Sequence, residues 1–143
     1  MRIANGITRA ILGFFLCLAA HAAFAEMVVV VSAKNSVATL TSNQVADIFL
    51  GKSNKFPSGE PAIPIDQREN SEIRDEFYTI VAGKSAAQVK AYWSKIIFSG
   101  KGQPPKNVGD SAAVKKLIAD NPNVIGYIDK TAIDSSVKII LAY

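Results

Sequence analysis

Cysteine and histidine are almost missing: the chain has one of each, Cys17 and His21, both within its first 25 residues. Arginine is scarce beyond that point, where only Arg68 and Arg74 accompany twelve lysines. No apolar run is long enough to span a bilayer, which takes roughly 20 residues. Residues 1–25 read as an export signal: Arg2 and Arg9 give a positive start, Ile11 to Ala20 an apolar stretch, and Ala23-Phe24-Ala25 a small-residue cleavage site. Leu16 before Cys17 argues against lipoprotein processing. The expectation is a signal peptide at 1–25, cleaved after Ala25, and one soluble domain at 26–143 in an exported compartment, the periplasm.

Those absences remove whole classes of chemistry. Without cysteine or histidine, residues 26–143 can form no internal disulfide, no Cys or His metal cage and no His-assisted nucleophile. Neither an enzyme nor a cofactor is expected. Two of the 16 basic residues leave with the signal while all 12 acidic ones stay, so the net charge falls from +4 to +2. That is an ordinary solubility charge and excludes a nucleic-acid footprint.

Strand and helix patterns alternate along the rest. Met27 to Val31 is a continuous apolar, β-branched run, the mark of a buried strand. Thr41 with Gln44, and Ser85 with Gln88, make two capping boxes that open amphipathic helices. The first of these helices ends at Gly51 and the second at Gly100. Pro61 to Ile65 reads as a short strand, irregular or at a sheet edge because of its prolines. A helix follows from Asn70 or Ser71 to Ala82, closed by Gly83. Lys101 to Gly109, broken by glycine and proline, reads as a loop that either lines a cleft or joins two helices. Asp110 caps another helix, and Val124 to Ile128 and Val137 to Leu141 are the last strands. The expected order is β-α-β-α-α-α-β-β, an α/β domain with a sheet covered by helices.

Several motifs are decoys. Gly51-Lys52-Ser53 and Gly83-Lys84-Ser85 resemble the tail of a phosphate loop, but the earlier glycine it needs is Ala46 in one case and Tyr78 in the other. Ser135 with Lys138 sits at a strand entry and lacks a helix to present the serine. Trp93, Tyr92 and Tyr127 lie on apolar stripes and read as core. What remains is Arg68 and Ser71, where a strand delivers an arginine and a serine to a helix N-terminus. Arginine grips oxyanions with a planar fork, and helix amides favour negative charge. The competing reading has Ser71 or Asn70 capping its own helix and Arg68 paired with Asp66, Glu69 or Glu72. From Asp66 to Glu76 there are five acidic residues against two basic ones, a locally negative field.

From about Leu40 to Asp129 the sequence resembles the phosphate-binding protein of bacterial phosphate ABC transporters, a type II periplasmic binding protein. The resemblance rests on Leu40-Thr41 with Val45 through Lys52, on Arg68 to Phe77, on Tyr92-Trp93 before a glycine-rich loop, and on Ile125 to Ile128. It implies an α/β fold made of a single periplasmic-binding-protein-like lobe, with a mixed sheet flanked by helices. It implies a ligand, phosphate or a similar oxyanion, held by Arg68, Ser71 and the groups of Glu72 and Ile73. It implies work with an ABC permease or a membrane sensor, without catalysis. Glu72-Ile73 stands where the family has Gly-Thr, and only one short strand precedes the matching region. A single lobe binds weakly, so tight binding would take a second wall from a homodimer partner or another protein. The alternative is a ligand-free periplasmic interaction module derived from such a lobe.

Overall fold

The computed structural model describes residues 26–143, so the export signal and its cleavage site lie outside the described residues. Five strands and four helices follow in the order β1 (Met27–Ser32), α1 (Ser42–Phe49), β2 (Ile63–Gln67), α2 (Glu72–Ala82), α3 (Ala86–Phe98), β3 (Lys106–Gly109), α4 (Ser111–Asp120), β4 (Val124–Asp129) and β5 (Val137–Ala142). The α/β expectation holds, with one strand more than the sequence pattern indicates. Both capping boxes form, and Asp110 caps α4 by accepting from the Ala113 amide at 3.0 Å. Gly83 ends α2 in the left-handed conformation, at φ 64°.

The sheet order is β3-β2-β4-β1-β5. β2 runs parallel to both β3 and β4, while β1 is antiparallel to β4 and β5. Every residue of β1 is buried, because successive side chains feed opposite faces of the sheet. Met27, Val29 and Val31 join the core under α1, α2 and α3, while Val28 and Val30 join the core under α4. The result is a sheet sandwiched between three helices and one. Gly126 on β4 lets α4 come close: a Cβ there would lie 2.7 Å from Val114 Cγ1 and 2.9 Å from Ile118 Cδ1.

Two expectations are corrected. The Lys101–Gly109 loop contains β3, whose pairing with Ile65 and Asp66 of β2 supplies order that a glycine- and proline-rich composition does not. β2 starts and ends two residues later than expected and is an interior strand. Its proline is tolerated because the ladder to β4 is short, covering Ile63 and Pro64, before pairing passes to β3. Parallel β2, β3 and β4 therefore end together, and Arg68, Asp110 and Lys130 follow directly from them. Ligands of open α/β sheets gather outside such carboxyl ends.

Candidate functional site

The turn that leaves β2 is held by its own backbone. The Arg68 amide donates to Gly109 O at 2.9 Å, tying the turn to the end of β3. The Ser71 amide and hydroxyl both donate to Arg68 O, at 3.3 and 2.7 Å. Asn70 adopts φ 64°, a left-handed conformation that asparagine tolerates better than most residues.

Ser71 stands at the N-cap of α2 by backbone conformation, but its side chain makes no cap hydrogen bond. This corrects the expectation that Ser71 caps its helix: its single proton is given to Arg68 O instead. The amides of Glu72 and Ile73, in the first turn of α2, thus receive no side-chain cap. Arg68 is exposed and has no ion-pair partner among the described residues, so its expected pairing with Asp66, Glu69 or Glu72 is also corrected. Glu72 is exposed and Ile73 is partly buried against the core below. The four residues named from the sequence meet at one helix entrance. There the turn offers one free cation, uncapped amides and a hydroxyl that must break a hydrogen bond before it can donate elsewhere.

Behind that entrance lies a cluster that sequence reasoning missed. The Asp66 carboxylate, 3 % exposed, accepts from Tyr127 Oη, from Tyr78 Oη at 2.8 Å, from the Gln67 amide at 2.9 Å and from Arg74 Nε at 3.2 Å. Arg74 also lies over the Tyr78 ring, 5.1 Å from its centre. The available signal was spacing: Arg74 and Tyr78 are four apart on one helix face, opposite a polar strand end. Gln67 extends the network, donating from Nε2 to Tyr127 O at 2.8 Å and to Ser111 Oγ at 3.1 Å. Ser111 Oγ in turn accepts from the Asp129 amide at 3.0 Å. Strands β2 and β4 and helices α2 and α4 are locked together under the turn.

Burial, the Asp66 charge and the hydrogen bond to it push both phenols, Tyr78 and Tyr127, far above the ordinary tyrosine value near 10. For Arg74, burial works against the charge, but Asp66 and the neighbouring phenols outweigh it and the pKa is raised. The sign for stability follows. Each phenol ionises in the unfolded chain before it does in the fold, so its contribution is complete below about pH 10 and is lost as pH rises further. Unfolding free energy is expected to fall above about pH 10 by as much as ~1.4 kcal/mol per pH unit for each tyrosine. Urea unfolding from about pH 9 to about pH 11 checks this, and Tyr127→Phe should shed one tyrosine's share of the slope. A slope identical in Tyr127→Phe and the parent would contradict it.

A cavity of about 400 Å³ is not lined by Arg68 or Ser71. It lies between the turn, α2 and α3, and is lined by Glu69, Asn70, Arg74 and Trp93 among others. Among the described residues no cluster of His, Cys, Asp or Glu could hold a metal ion, and no helix is long and apolar enough to cross a membrane.

This architecture, a five-stranded mixed sheet flanked by four helices, matches a single lobe of a phosphate-binding protein. Among solved proteins it is similar to a phosphate ABC transporter substrate-binding protein with bound phosphate from Clostridium perfringens, at 25% identity and a TM-score of 0.64 over 80% of this chain and 44% of that one. It is similar to an ABC-type phosphate transport receptor from Vibrio cholerae, at 20% identity and a TM-score of 0.63 over 80% and 45%. PstS from Borrelia burgdorferi aligns at 15% identity and a TM-score of 0.61 over 80% and 46%. The family resemblance read from the sequence is borne out at the level of fold. The chain spans less than half the length of each of these proteins. No family model matches the sequence, and no curated protein sequence matches it.

Proposed function

We propose that this chain is an exported, non-catalytic solute-binding protein whose ligand is phosphate or a similar oxyanion. Arg68 supplies the charge, the Glu72 and Ile73 amides supply the helix end, and the Ser71 hydroxyl turns from Arg68 O to join them. The observation that carries this reading is an unpaired arginine beside an uncapped helix entrance at the carboxyl ends of parallel strands. Its setting is the periplasm, with residues 1–25 removed as a signal peptide, and its partner is an ABC permease or a membrane sensor. The likeness to solved proteins described as phosphate-binding supports the choice of ligand.

The strength of such a site can be bounded. A charged arginine hydrogen bond contributes about 1.5–3 kcal/mol, the serine about 1 and the helix end about 0.3–1. The total corresponds to dissociation constants of about a millimolar, before any wall from a second copy or another protein is added. Calorimetry with phosphate, sulfate and molybdate tests it. Saturable heat from at least one anion is expected, with Arg68→Ala weakening that anion about tenfold or more. No heat from any of them up to several times about a millimolar would refute the reading.

A second reading is favoured by one observation. Phe98, at the end of α3, is 96 % exposed, and Ile97 beside it is half exposed. A lobe that binds a protein instead of an ion would use such an apolar point. Sedimentation showing only monomer, with no retention on membrane fractions, would count against it.

A further inference from the structure

The cavity between α2 and α3 has a chemistry of its own. Buried Val89 and Trp93 give it an apolar floor, half-exposed Ile97 stands at its edge, and Asn70, Arg74 and Lys90 also line it. Its volume, about 400 Å³, falls in the range of about 300–1,000 Å³ typical of small-molecule sites, and far exceeds what a bare inorganic oxyanion fills. Arg74 is fixed there before any ligand arrives. Its Nε is bonded to the buried Asp66 and its Cζ lies over the Tyr78 ring, while among the described residues no hydrogen bond holds its two terminal nitrogens. A guanidinium held at one side and open at the other presents two parallel donors, the geometry that grips a carboxylate or phosphate bidentately. Lys90 is exposed and has no ion-pair partner among the described residues. Glu69 is the one acid lining the cavity, and Asp66 offsets Arg74 from behind, so an anionic group would be met by the open donors of Arg74 and by Lys90. Trp93 is 6 % exposed, and the part of its ring that lines the cavity is apolar.

We infer that this cavity is a second ligand site, for a small organic oxyanion carrying an apolar body, with Arg74 and Lys90 on the anionic group and Val89, Trp93 and Ile97 around the body. It differs from the helix-entrance site in both residues and ligand, and it stands whether or not that site binds phosphate. Charge selects the head group, and the floor rejects ions that bring nothing apolar to cover it.

Trp93 is the only tryptophan in the chain, so its fluorescence reports on this cavity directly. The purified protein is titrated with phenylacetate and with phenyl phosphate, and with 2-phenylethanol as the uncharged control. A saturable change in Trp93 emission is expected from at least one of the two anions, with the alcohol weaker by about tenfold or more. Inorganic phosphate should not displace the bound anion. Ala87→Phe fills the cavity from the exposed first turn of α3 and should abolish the change, and Lys90→Gln should weaken it several-fold. Both positions are exposed and away from the core, so neither variant puts the fold at risk. The inference is overturned by no saturable change from either anion up to roughly 10 mM. It is overturned equally by the alcohol binding as tightly as the anions, or by Ala87→Phe leaving the titration unaltered.

Discussion

Asp66→Ala is expected to lower the unfolding free energy by about 3–5 kcal/mol, the cost of breaking a buried charge pair by removing one partner. The carboxylate is the single acceptor shared by Tyr127, Tyr78, the Gln67 amide and Arg74. Alanine leaves all four donors in a space from which water is largely excluded, with Arg74 uncompensated. Against a total stability of about 5–15 kcal/mol for a domain of this kind, the variant stands near its folding threshold. Asp66→Asn keeps one acceptor oxygen but turns an NH₂ toward the remaining donors, so it should lose about half as much. Urea unfolding with an unchanged slope and a lower midpoint is the signature. A loss of less than about 1 kcal/mol in Asp66→Ala would mean that the cluster stabilises nothing.

Phe77→Ala should cost a similar amount, about 3–5 kcal/mol, for a different reason. Phe77 is fully buried and stacks on Tyr127 with ring centres 4.0 Å apart and planes 5° from parallel. Phe49 and Tyr78 pack against it edge to face, with ring centres 4.7 and 5.1 Å away. Alanine opens a cavity among three aromatic rings that strands and helices hold from outside, so little of it can collapse. Phe77→Leu keeps most of the volume and should lose less than about 1.5 kcal/mol, by chemical denaturation of both variants. Because Tyr127 touches both Phe77 and Asp66, the two alanine substitutions share a partner. The double variant should depart from additivity by about 0.5–3 kcal/mol.

Local features of this fold were legible in the sequence because their causes are local. Thr41 with Gln44 and Ser85 with Gln88 carry both halves of a capping box within four residues. The apolar run of β1 announced a strand buried on both faces, and it is. β3 was not legible, since Lys106 to Gly109 becomes a strand only by pairing with β2, some forty residues away. The polar end of β2 was missed for the same reason. Asp66 and Gln67 remain in the sheet because Tyr127, Tyr78 and Arg74 satisfy them across the fold.

The candidate site divided along the same line. Arg68 and Ser71 could be read from strand-to-helix order, as could the helix they introduce. Composition gave no means to choose which of several acids would neutralise which arginine. The answer, Asp66 with Arg74, leaves Arg68 unpaired, and that makes the turn more hospitable to an anion than the count of acidic residues implied. The proposed second site depends on Arg74 being pinned from behind by Asp66, a property of the folded cluster to which the four-residue spacing of Arg74 and Tyr78 was the one local pointer.

The central claim is that an oxyanion meets the amides at the entrance of α2. Amide-resolved NMR during a phosphate titration tests it most directly, because Glu72 and Ile73 each carry a backbone N–H at the proposed contact. The account predicts saturable shifts at those two amides and at Ser71, with those of α1, α3 and α4, whose ends are capped, unmoved. Shifts scattered evenly over exposed lysine-bearing surfaces, with Glu72 and Ile73 stationary, would contradict it.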